Sequence, residues 1–256
     1  HLCDRRQRQM CIRDRVYTIK GYQIPEGSRT SKGIPLVNTL QFQPDEKLAA
    51  VTTVKTLDDD SSYLFFVTKN GTVKRTLVSQ FKNIRTNGII AINLAEDDEL
   101  LQVEVTNGNR EIVLGATNGK AIHFNENDVR PIGRSAAGVR GMMLQPGDKI
   151  VGMAVITEEK NEVLVVTEKG FGKRSTIDEY RIQGRGGSGV KALNVTDKNG
   201  KLVALKSVSD QEDLIITTDK GVVIRMHIAD ISQTGRATQG VKLIRLKDDQ
   251  SIATVA

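Results

Sequence analysis

This chain repeats itself about every fifty residues. An apolar run followed by a turn glycine occurs four times, and the glycines Gly71, Gly119, Gly170 and Gly221 are 48, 51 and 51 residues apart. A second marker, an arginine followed three or four residues later by glycine, occurs five times, with its glycines 55, 50, 51 and 51 residues apart. Two independent markers with one period predict successive units at 15–61, 62–110, 111–161, 162–212 and 213–256.

Each unit has the pattern of short antiparallel strands. β-Branched and aromatic residues occur in short runs bounded by turn residues, and no segment keeps a helical period over the length that a helix needs. Asn70-Gly71 and Asn118-Gly119 predict two-residue hairpins of type I′. The same position is filled by Lys169-Gly170 and Lys220-Gly221, and further strands are expected at 190–195, 202–205, 241–246 and 252–255. Four strands in each unit indicate propeller blades, and helix content should be below about 10%.

Composition bears on the partner and the compartment. The 256 residues include 37 basic and 31 acidic side chains, and the resulting net charge of +6 favours an anionic partner. No apolar run approaches the ~18–20 residues of a membrane helix. Cys3 and Cys11 support neither a disulfide framework nor a zinc site, so a reduced, intracellular compartment is expected.

Residues 1–14 are Arg-rich and unlike the repeats, which predicts a tail foreign to a domain at 15–256.

Basic residues follow the repeat as well. Residues 69–88 contain five basic and no acidic side chains, and residues 169–191 contain six basic and two acidic ones. If the units form a ring, equivalent positions fall on one rim, and a basic band there suits the phosphates of a DNA duplex better than a small ligand. Outside the loop described next, the candidate DNA-binding residues are Arg29, Lys74, Arg75, Arg85, Arg134, Lys173, Arg174, Arg181, Lys191, Arg225 and Arg236.

The most distinctive loop is QGRGGSG at residues 183–189. It contains the pattern G-x-G-x-x-G, but a dinucleotide site needs a following helix, whereas a strand pattern follows here. Two interpretations stay open. In one, the glycines only permit a tight path between blades. In the other, backbone N–H groups and Arg185 approach a phosphate, with Gln183, Gly186, Gly187 and Gly189 as the other contact residues.

The repeat, the Lys-Arg strand and this loop together closely resemble the C-terminal domain of the bacterial DNA gyrase A subunit. The likeness covers 15–256 and is carried further by YQIPE at 22–26, TEKGFGKR at 167–174 and TGRATQGV at 234–241. It implies an all-β fold, a β-pinwheel, in which a propeller-like ring exchanges strands between blades and wraps double-stranded DNA of any sequence. The family has six blades and a Gln-Arg-Arg-Gly-Gly-Lys/Arg-Gly box, whereas five units are visible here. Gly184 and Ser188 stand at basic positions of the box, and Asp14 stands where a turn glycine is expected.

The resemblance also implies partners rather than chemistry within this chain. DNA cleavage and the use of ATP and Mg²⁺ belong elsewhere in a cytoplasmic holoenzyme of two A and two B subunits, so no catalytic residue, metal or cofactor is expected here. His1, His123 and His227 fall at non-equivalent positions, and the aspartates at 58–60 are interpreted as a solvated turn. Two alternatives stay open: one is the equivalent domain of the topoisomerase IV A subunit, the other a propeller scaffold that binds proteins.

Overall fold

The computed structural model describes residues 7–12, 14–28, 30–42, 48–247 and 249–256, and of 7–12 the backbone alone. The candidate residue Arg29 lies outside this described part. No α-helix occurs among the described residues, which confirms the prediction of low helix content. The helical elements are 3₁₀ turns at Gly21–Gln23, Leu36–Asn38, Val78–Phe81, Glu126–Asp128, Ile177–Glu179 and Ile228–Asp230. No helix in the described chain is long and apolar enough to cross a membrane.

The described chain forms nineteen strands. They are β1 Gln7–Ile12, β2 Arg15–Lys20, β3 Leu48–Val54, β4 Tyr63–Thr68, β5 Thr72–Leu77, β6 Ile89–Ile90, β7 Leu100–Thr106, β8 Glu111–Ala116, β9 Lys120–Asn125, β10 Val139–Arg140, β11 Ile150–Ile156, β12 Glu162–Thr167, β13 Phe171–Thr176, β14 Val190–Lys191, β15 Leu202–Val208, β16 Asp213–Thr218, β17 Val223–His227, β18 Val241–Lys242 and β19 Ile252–Val255. Their order is β3-β1-β2-β6 in sheet 1, β10-β5-β4-β7 in sheet 2, β11-β8-β9-β14 in sheet 3, β15-β12-β13-β18 in sheet 4 and β17-β16-β19 in sheet 5.

Two compact units make up the described chain. The first takes the residues up to Thr68 together with Thr72–Gly108 and Val129–Val139. The second takes Lys69–Gly71, Asn109–Asp128 and Arg140–Ala256. Each unit has its own core, and the first two strands of the second, third and fourth repeats are covered on both faces. Leu64, Phe66 and Ile92 belong to a core of the first unit, and Val113, Val165 and Leu205 to one of the second.

Sheets 1 to 4 are each completed by a two-residue strand from the following repeat. We call β6, β10, β14 and β18 the exchanged strands. In sheet 3, Val190 of β14 lies opposite Ala121 of β9, and the N–H groups of Ala192 and Leu193 then both donate to the C=O of Gly119, at 2.8 and 3.0 Å. The same pair of bonds joins Ala91 and Ile92 to Asp14, Gly141 and Met142 to Gly71, and Leu243 and Ile244 to Gly170. Strand exchange is therefore confirmed. Each exchanged strand has two residues instead of the predicted six, because the next two N–H groups both donate hydrogen bonds to one carbonyl.

The hairpin turns after β4, β8 and β12 have three residues rather than the two of the predicted type I′ turn. β8 ends at Ala116 and β9 begins at Lys120, and the N–H of Gly119 donates to the C=O of Ala116 at 2.9 Å. Gly119 has a φ of +79°. In a three-residue hairpin of this kind only the last loop residue needs the left-handed conformation. Lysine can therefore precede the glycine as readily as asparagine does.

Strand β1, at residues 7–12, belongs to the first sheet. β1 lies between β2 and β3, with Gln9 opposite both Thr18 and Thr52. Asp14 takes the place of the turn glycine, and its C=O accepts the N–H of Ala91 at 2.7 Å. β1 therefore pairs within the sheet of the first repeat, although the sequence interpretation set residues 1–14 apart, and residues 1–6 and 13 lie outside the described part. QRQMCI escaped recognition because its apolar residues are consecutive and show no alternation.

Candidate nucleic-acid interface

Two of the predicted DNA-binding lysines lie in the interior. Lys74 in β5 and Lys173 in β13 are 0% exposed. The ammonium of Lys74 donates to the backbone C=O of Ala91 at 2.5 Å. The ammonium of Lys173 donates to the C=O of Gly235 at 2.6 Å and to the hydroxyl of Ser175 at 3.1 Å. Neither side chain can reach a phosphate in this structure. The prediction that Lys74 and Lys173 contact DNA is therefore wrong, and both instead connect a strand to a loop inside the protein.

Stability should rise with pH because of these lysines. Burial lowers the pKa of Lys74 and of Lys173 from 10.5 to about 8. Between these values the unfolded chain binds protons that the folded chain does not, so the free energy of unfolding increases with pH, on the order of 3 kcal/mol for each lysine over the full window. Burial also raises the pKa of Tyr180 to about 12, which opposes the rise above pH ~10.

We expect the urea midpoint to increase from pH 8 to pH 10. The double variant Lys74→Met, Lys173→Met should show a flatter pH dependence, because the two groups with lowered pKa are gone. A urea midpoint that falls over this range in the original chain would contradict the assignment of buried, easily deprotonated lysines.

The arginine after each buried lysine is also held internally. Arg75 is 5% exposed, and its guanidinium lies 4.7 Å from the centre of the Tyr63 ring. Arg174 donates to the carboxylate of Glu162 at 2.9 Å and to the backbone C=O of Ile231 at 2.8 Å. It also pairs with Asp210. These contacts occupy the two guanidinium groups, and neither Arg75 nor Arg174 presents a free charge to DNA.

The same position carries similar contacts in the third and fifth repeats. His123 makes hydrogen bonds to the carboxylate of Glu111 at 3.0 Å and to the backbone C=O of Tyr180 at 2.8 Å. Arg225 donates to the carboxylate of Asp213 at 3.0 Å. At His123, Arg174 and Arg225 a carboxylate on the neighbouring strand thus binds the side chain at this position, as cross-strand pairs commonly do. Arg225 is exposed, but it is neutralised by Asp213.

Three arginines of the second sequence marker hold exchanged strands in place. Each donates to the backbone C=O of the last residue of an exchanged strand. The pairs are Arg134 to Ile90 at 3.2 Å, Arg185 to Arg140 at 3.1 Å and Arg236 to Lys191 at 2.7 Å. We call these three residues the latch arginines. The recurrence of one contact in three repeats gives them a structural role, whatever else they bind.

The glycine-rich loop at 183–189 is also tied to the preceding repeat. The N–H of Gly186 donates to the C=O of Gly141 at 2.6 Å and is not available to a phosphate. Gly189 has a φ of +71°, and a Cβ on it would lie 2.4 Å from the carbonyl oxygen of Ala121. Gly184 has open space around it. The structure therefore favours the tight-path interpretation for Gly186 and Gly189.

The remaining loop residues make further backbone contacts. The N–H of Gln183 donates to the C=O of His123 at 2.9 Å, and the C=O of Gly187 accepts the N–H of Met143 at 2.9 Å. A Cβ on Gly187 would find only ordinary contacts, the nearest at 3.6 Å. The loop is thus a packed connection, and Arg185 is its exposed cation.

Four of the predicted basic residues stay at the surface without a carboxylate partner among the described residues. They are Arg85, Arg181, Arg185 and Lys191. Lys191 is the second residue of its exchanged strand, and the second residues of β10 and β18 are also basic and exposed. We call Arg140, Lys191 and Lys242 the exchanged-strand cations.

The sequence interpretation missed Arg140 and Lys242. Both stand two residues after a glycine of positive φ, in GVR at 138–140 and GVK at 240–242, as Lys191 does in GVK at 189–191. Aligning the repeats on these glycines would have revealed this position. Arg130, equivalent to the predicted Arg181, was missed in the same way and is exposed.

The exchanged-strand cations differ in their surroundings from the surface lysines that pair with carboxylates. Among the described residues, Lys82 pairs with Asp58 at 2.5 Å and Lys220 with Asp249 at 3.8 Å. The ammonium of Lys242 lies 5.4 Å from the centre of the Phe171 ring instead. The ammonium of Lys191 donates to the amide oxygen of Asn194 at 3.2 Å. Their charges are therefore not neutralised by carboxylates, which suits them to bind an anion.

Comparison with known proteins links this architecture to one family. The family model of the DNA gyrase C-terminal domain, described as a beta-propeller, matches five segments, at residues 13–55, 62–107, 110–157, 161–209 and 212–256. The DNA gyrase A subunit of Staphylococcus epidermidis is 49% identical over 243 residues, which are 94% of this chain and 27% of that protein. The chain thus spans about a quarter of the length of the curated relatives that it matches.

Two solved structures resemble the fold closely. The C-terminal domain of DNA gyrase A aligns with a TM-score of 0.84 and 24% identity, covering 98% of this chain and 82% of that one. The C-terminal domain of DNA topoisomerase IV aligns with a TM-score of 0.89 and 25% identity, covering 99% and 79%. The two structures share the fold almost equally, and the sequence similarity separates the families in favour of gyrase A.

Proposed function

This chain belongs to the DNA gyrase C-terminal domain family, and from that membership we propose that it binds and wraps double-stranded DNA as a non-catalytic part of the gyrase A subunit. The observation that carries the proposal is the set of exchanged-strand cations. Arg140, Lys191 and Lys242 occupy one position in successive repeats and have no carboxylate partner among the described residues. Evenly repeated cations suit a backbone of evenly repeated phosphates.

The expected binding is tolerant of DNA sequence. Lysine and arginine contacts to phosphate carry no base information, whereas sequence is read at base edges in the grooves. The latch arginines support the binding indirectly, because Arg185 and Arg236 fix the backbone of the strands that bear Arg140 and Lys191. In this proposal the surface of the exchanged strands contacts DNA. The strands that carry the buried Lys-Arg pairs, β5 and β13, support that surface from the interior.

The remaining partners follow from the relatives. We propose that the domain acts with the rest of gyrase A and with gyrase B, in an assembly of two copies of each, in the cytoplasm. ATP and Mg²⁺ would be used by those other parts, and this chain would need no cofactor of its own. In that arrangement the domain supplies the DNA path, and the chemistry of strand passage takes place elsewhere.

Wrapping can be tested by ligating nicked circles in the presence of the protein. The chain should leave writhe in the closed circles, and Arg185→Ala should reduce that writhe more than Lys220→Ala does. Arg185 donates to the C=O groups of Asp128 and Arg140, whereas Lys220 lies in a hairpin turn beside Asp249.

Equal reductions by the two variants would contradict the role given to Arg185. Tight, salt-dependent binding without any writhe would contradict wrapping while leaving DNA binding intact. Binding that is insensitive to salt would instead favour a protein-binding scaffold, because apolar docking releases no counterions.

A further inference from the structure

One exposed residue that follows an exchanged-strand cation is apolar. The ammonium of Lys191 donates to the amide oxygen of Asn194 at 3.2 Å, so the residue three positions after such a cation can lie beside it. Arg140 has Met143 at that position, and Met143 is 48% exposed. The equivalent residues in the other repeats are polar or charged, namely Asn93, Asn194 and Arg245. Met143 is therefore the apolar exception in a polar set.

The backbone supports this equivalence between repeats. In three of them the N–H of this residue donates to a carbonyl in the loop of the following repeat, with the pairs Asn93 to Ala136 at 3.2 Å, Met143 to Gly187 at 2.9 Å and Asn194 to Thr238 at 3.0 Å. The acceptor beside Met143 is thus a glycine, where the other two loops have a side chain.

Neither packing nor conformation requires glycine at position 187. A Cβ there would meet only ordinary contacts, the nearest at 3.6 Å, and the φ of Gly187 lies outside the left-handed region. A glycine that the fold does not require still allows a ligand to approach the backbone closely. The loop surface next to Met143 is therefore open to such an approach.

Met143 also lies close to positive charges that no carboxylate neutralises. Arg185 donates to the backbone C=O of Arg140 at 3.1 Å, so its guanidinium lies beside the exchanged strand that leads to Met143. Both arginines are exposed and have no carboxylate partner among the described residues. An apolar protein surface on this patch would desolvate both charges at a cost. The DNA minor groove suits it better, because proteins bind there with arginine and an inserted apolar side chain such as methionine.

We propose that Met143 enters the minor groove of the bound duplex and partly unstacks one base step, so that the bend is concentrated there. The inference rests on the proposed function, because it concerns DNA held on the surface of the exchanged strands. Methionine is long, unbranched and flexible, so it can adapt to the gap between two base pairs. Arg140 and Arg185 would bind the phosphates on either side.

Insertion predicts a preference that the cations alone do not give. Pyrimidine–purine steps such as TpA are flexible and unstack easily, so a duplex should be held with such a step at Met143. This preference depends on how easily the DNA deforms and requires no hydrogen bond to a base edge. It therefore adds a choice of position along the DNA to binding that otherwise tolerates any sequence.

The test compares two duplexes of about 40 bp and identical base composition. One contains GTAC about every 10 bp, so that a TpA step recurs once in each turn, and the other has GATC at the same places. The original chain should bind the TpA duplex roughly 5-fold more tightly. Met143→Asn introduces the residue that two other repeats have at this position, and it should bind the two duplexes equally. Met143→Leu should keep the preference, because leucine is also inserted between base steps.

Ile182→Gln is the matched control. Ile182 is 59% exposed and directly precedes the glycine-rich loop, but its backbone pairs with His123 of β9 and it does not follow an exchanged strand. Its equivalent in the next repeat is Gln233, which pairs with Arg174 in the same way. Ile182→Gln should keep the roughly 5-fold preference.

A fluorescent base reports the insertion directly. 2-Aminopurine in place of the adenine of one TpA step becomes brighter when it is unstacked. Its fluorescence should increase when the original chain or Ile182→Gln binds, and should change little when Met143→Asn binds. Circular dichroism of each variant verifies the fold.

Three outcomes would overturn the inference and leave DNA binding intact. They are salt-dependent binding of the two duplexes with equal affinity, a preference that Met143→Asn retains, and equal losses of the preference in Met143→Asn and Ile182→Gln. Either of the first two would favour a protein contact for Met143. Absence of salt-dependent binding to both duplexes would instead contradict the proposed function itself, and this inference with it.

Discussion

Replacing Arg140, Lys191 and Lys242 together by alanine should weaken binding to duplex DNA roughly 500-fold at 0.1 M salt. Each phosphate contact contributes about 0.9 to the slope of log affinity against log salt, so loss of three contacts makes the slope shallower by about 2.7. The loss should be the same on duplexes of unrelated sequence, because these cations read no base edges. Fluorescence titration at several salt concentrations measures both quantities.

The control removes the same charge from exposed lysines that have carboxylate partners. Lys82, Lys160 and Lys220 pair with Asp58, Glu212 and Asp249. Their triple alanine variant should lose only a few-fold in affinity, and its salt slope should change by less than about 1. Similar losses in the two triple variants would show that net charge alone governs binding and that the exchanged-strand cations have no special position.

Gly189→Ala should destabilise the domain by about 2–4 kcal/mol. Its φ of +71° is unfavourable for alanine, and the added Cβ would meet the carbonyl oxygen of Ala121 at 2.4 Å, where backbone rather than a flexible side chain must move. The site is where β14 meets β9, so the strain falls on the contact between successive repeats. Guanidinium denaturation followed by circular dichroism measures the change in the free energy of unfolding.

Gly184→Ala is the matched control within the same loop. A Cβ there meets nothing within 4 Å, and its φ is not in the left-handed region. We expect the free energy of unfolding to change by no more than about 0.5 kcal/mol, or to increase slightly because alanine reduces the conformational freedom of the unfolded chain. Equal destabilisation by the two substitutions would contradict the packing role given to Gly189.

The sequence predicted the repeat and its turn positions well. Glycines marked each unit because the backbone needs positive φ both at the hairpin turn and just before the exchanged strand, as at Gly119 and Gly189. These requirements are local, so they are visible in a single sequence. The exchange itself was expected only from the resemblance to the family, because two-residue strands such as β14 give no periodic signal.

The candidate DNA contacts were predicted less well. Lys74 looks like a surface cation, but it is buried because carbonyl groups from elsewhere in the chain surround its ammonium. That environment depends on tertiary structure and leaves no trace in neighbouring residues. The repeat still contained a clue, since the equivalent residues Tyr17, Ile122 and Ile224 are apolar. A position that is apolar in three repeats is a core position in all of them.

The exchanged strands also set an order in time on the ribosome. The hairpin of β4 and β5 is complete at Leu77, but β10, which closes its sheet, begins only at Val139. At synthesis rates of about 5–20 residues per second, that edge stays open for roughly 3–12 s. Sheets 1 to 4 can therefore be completed only after part of the next repeat has been synthesised.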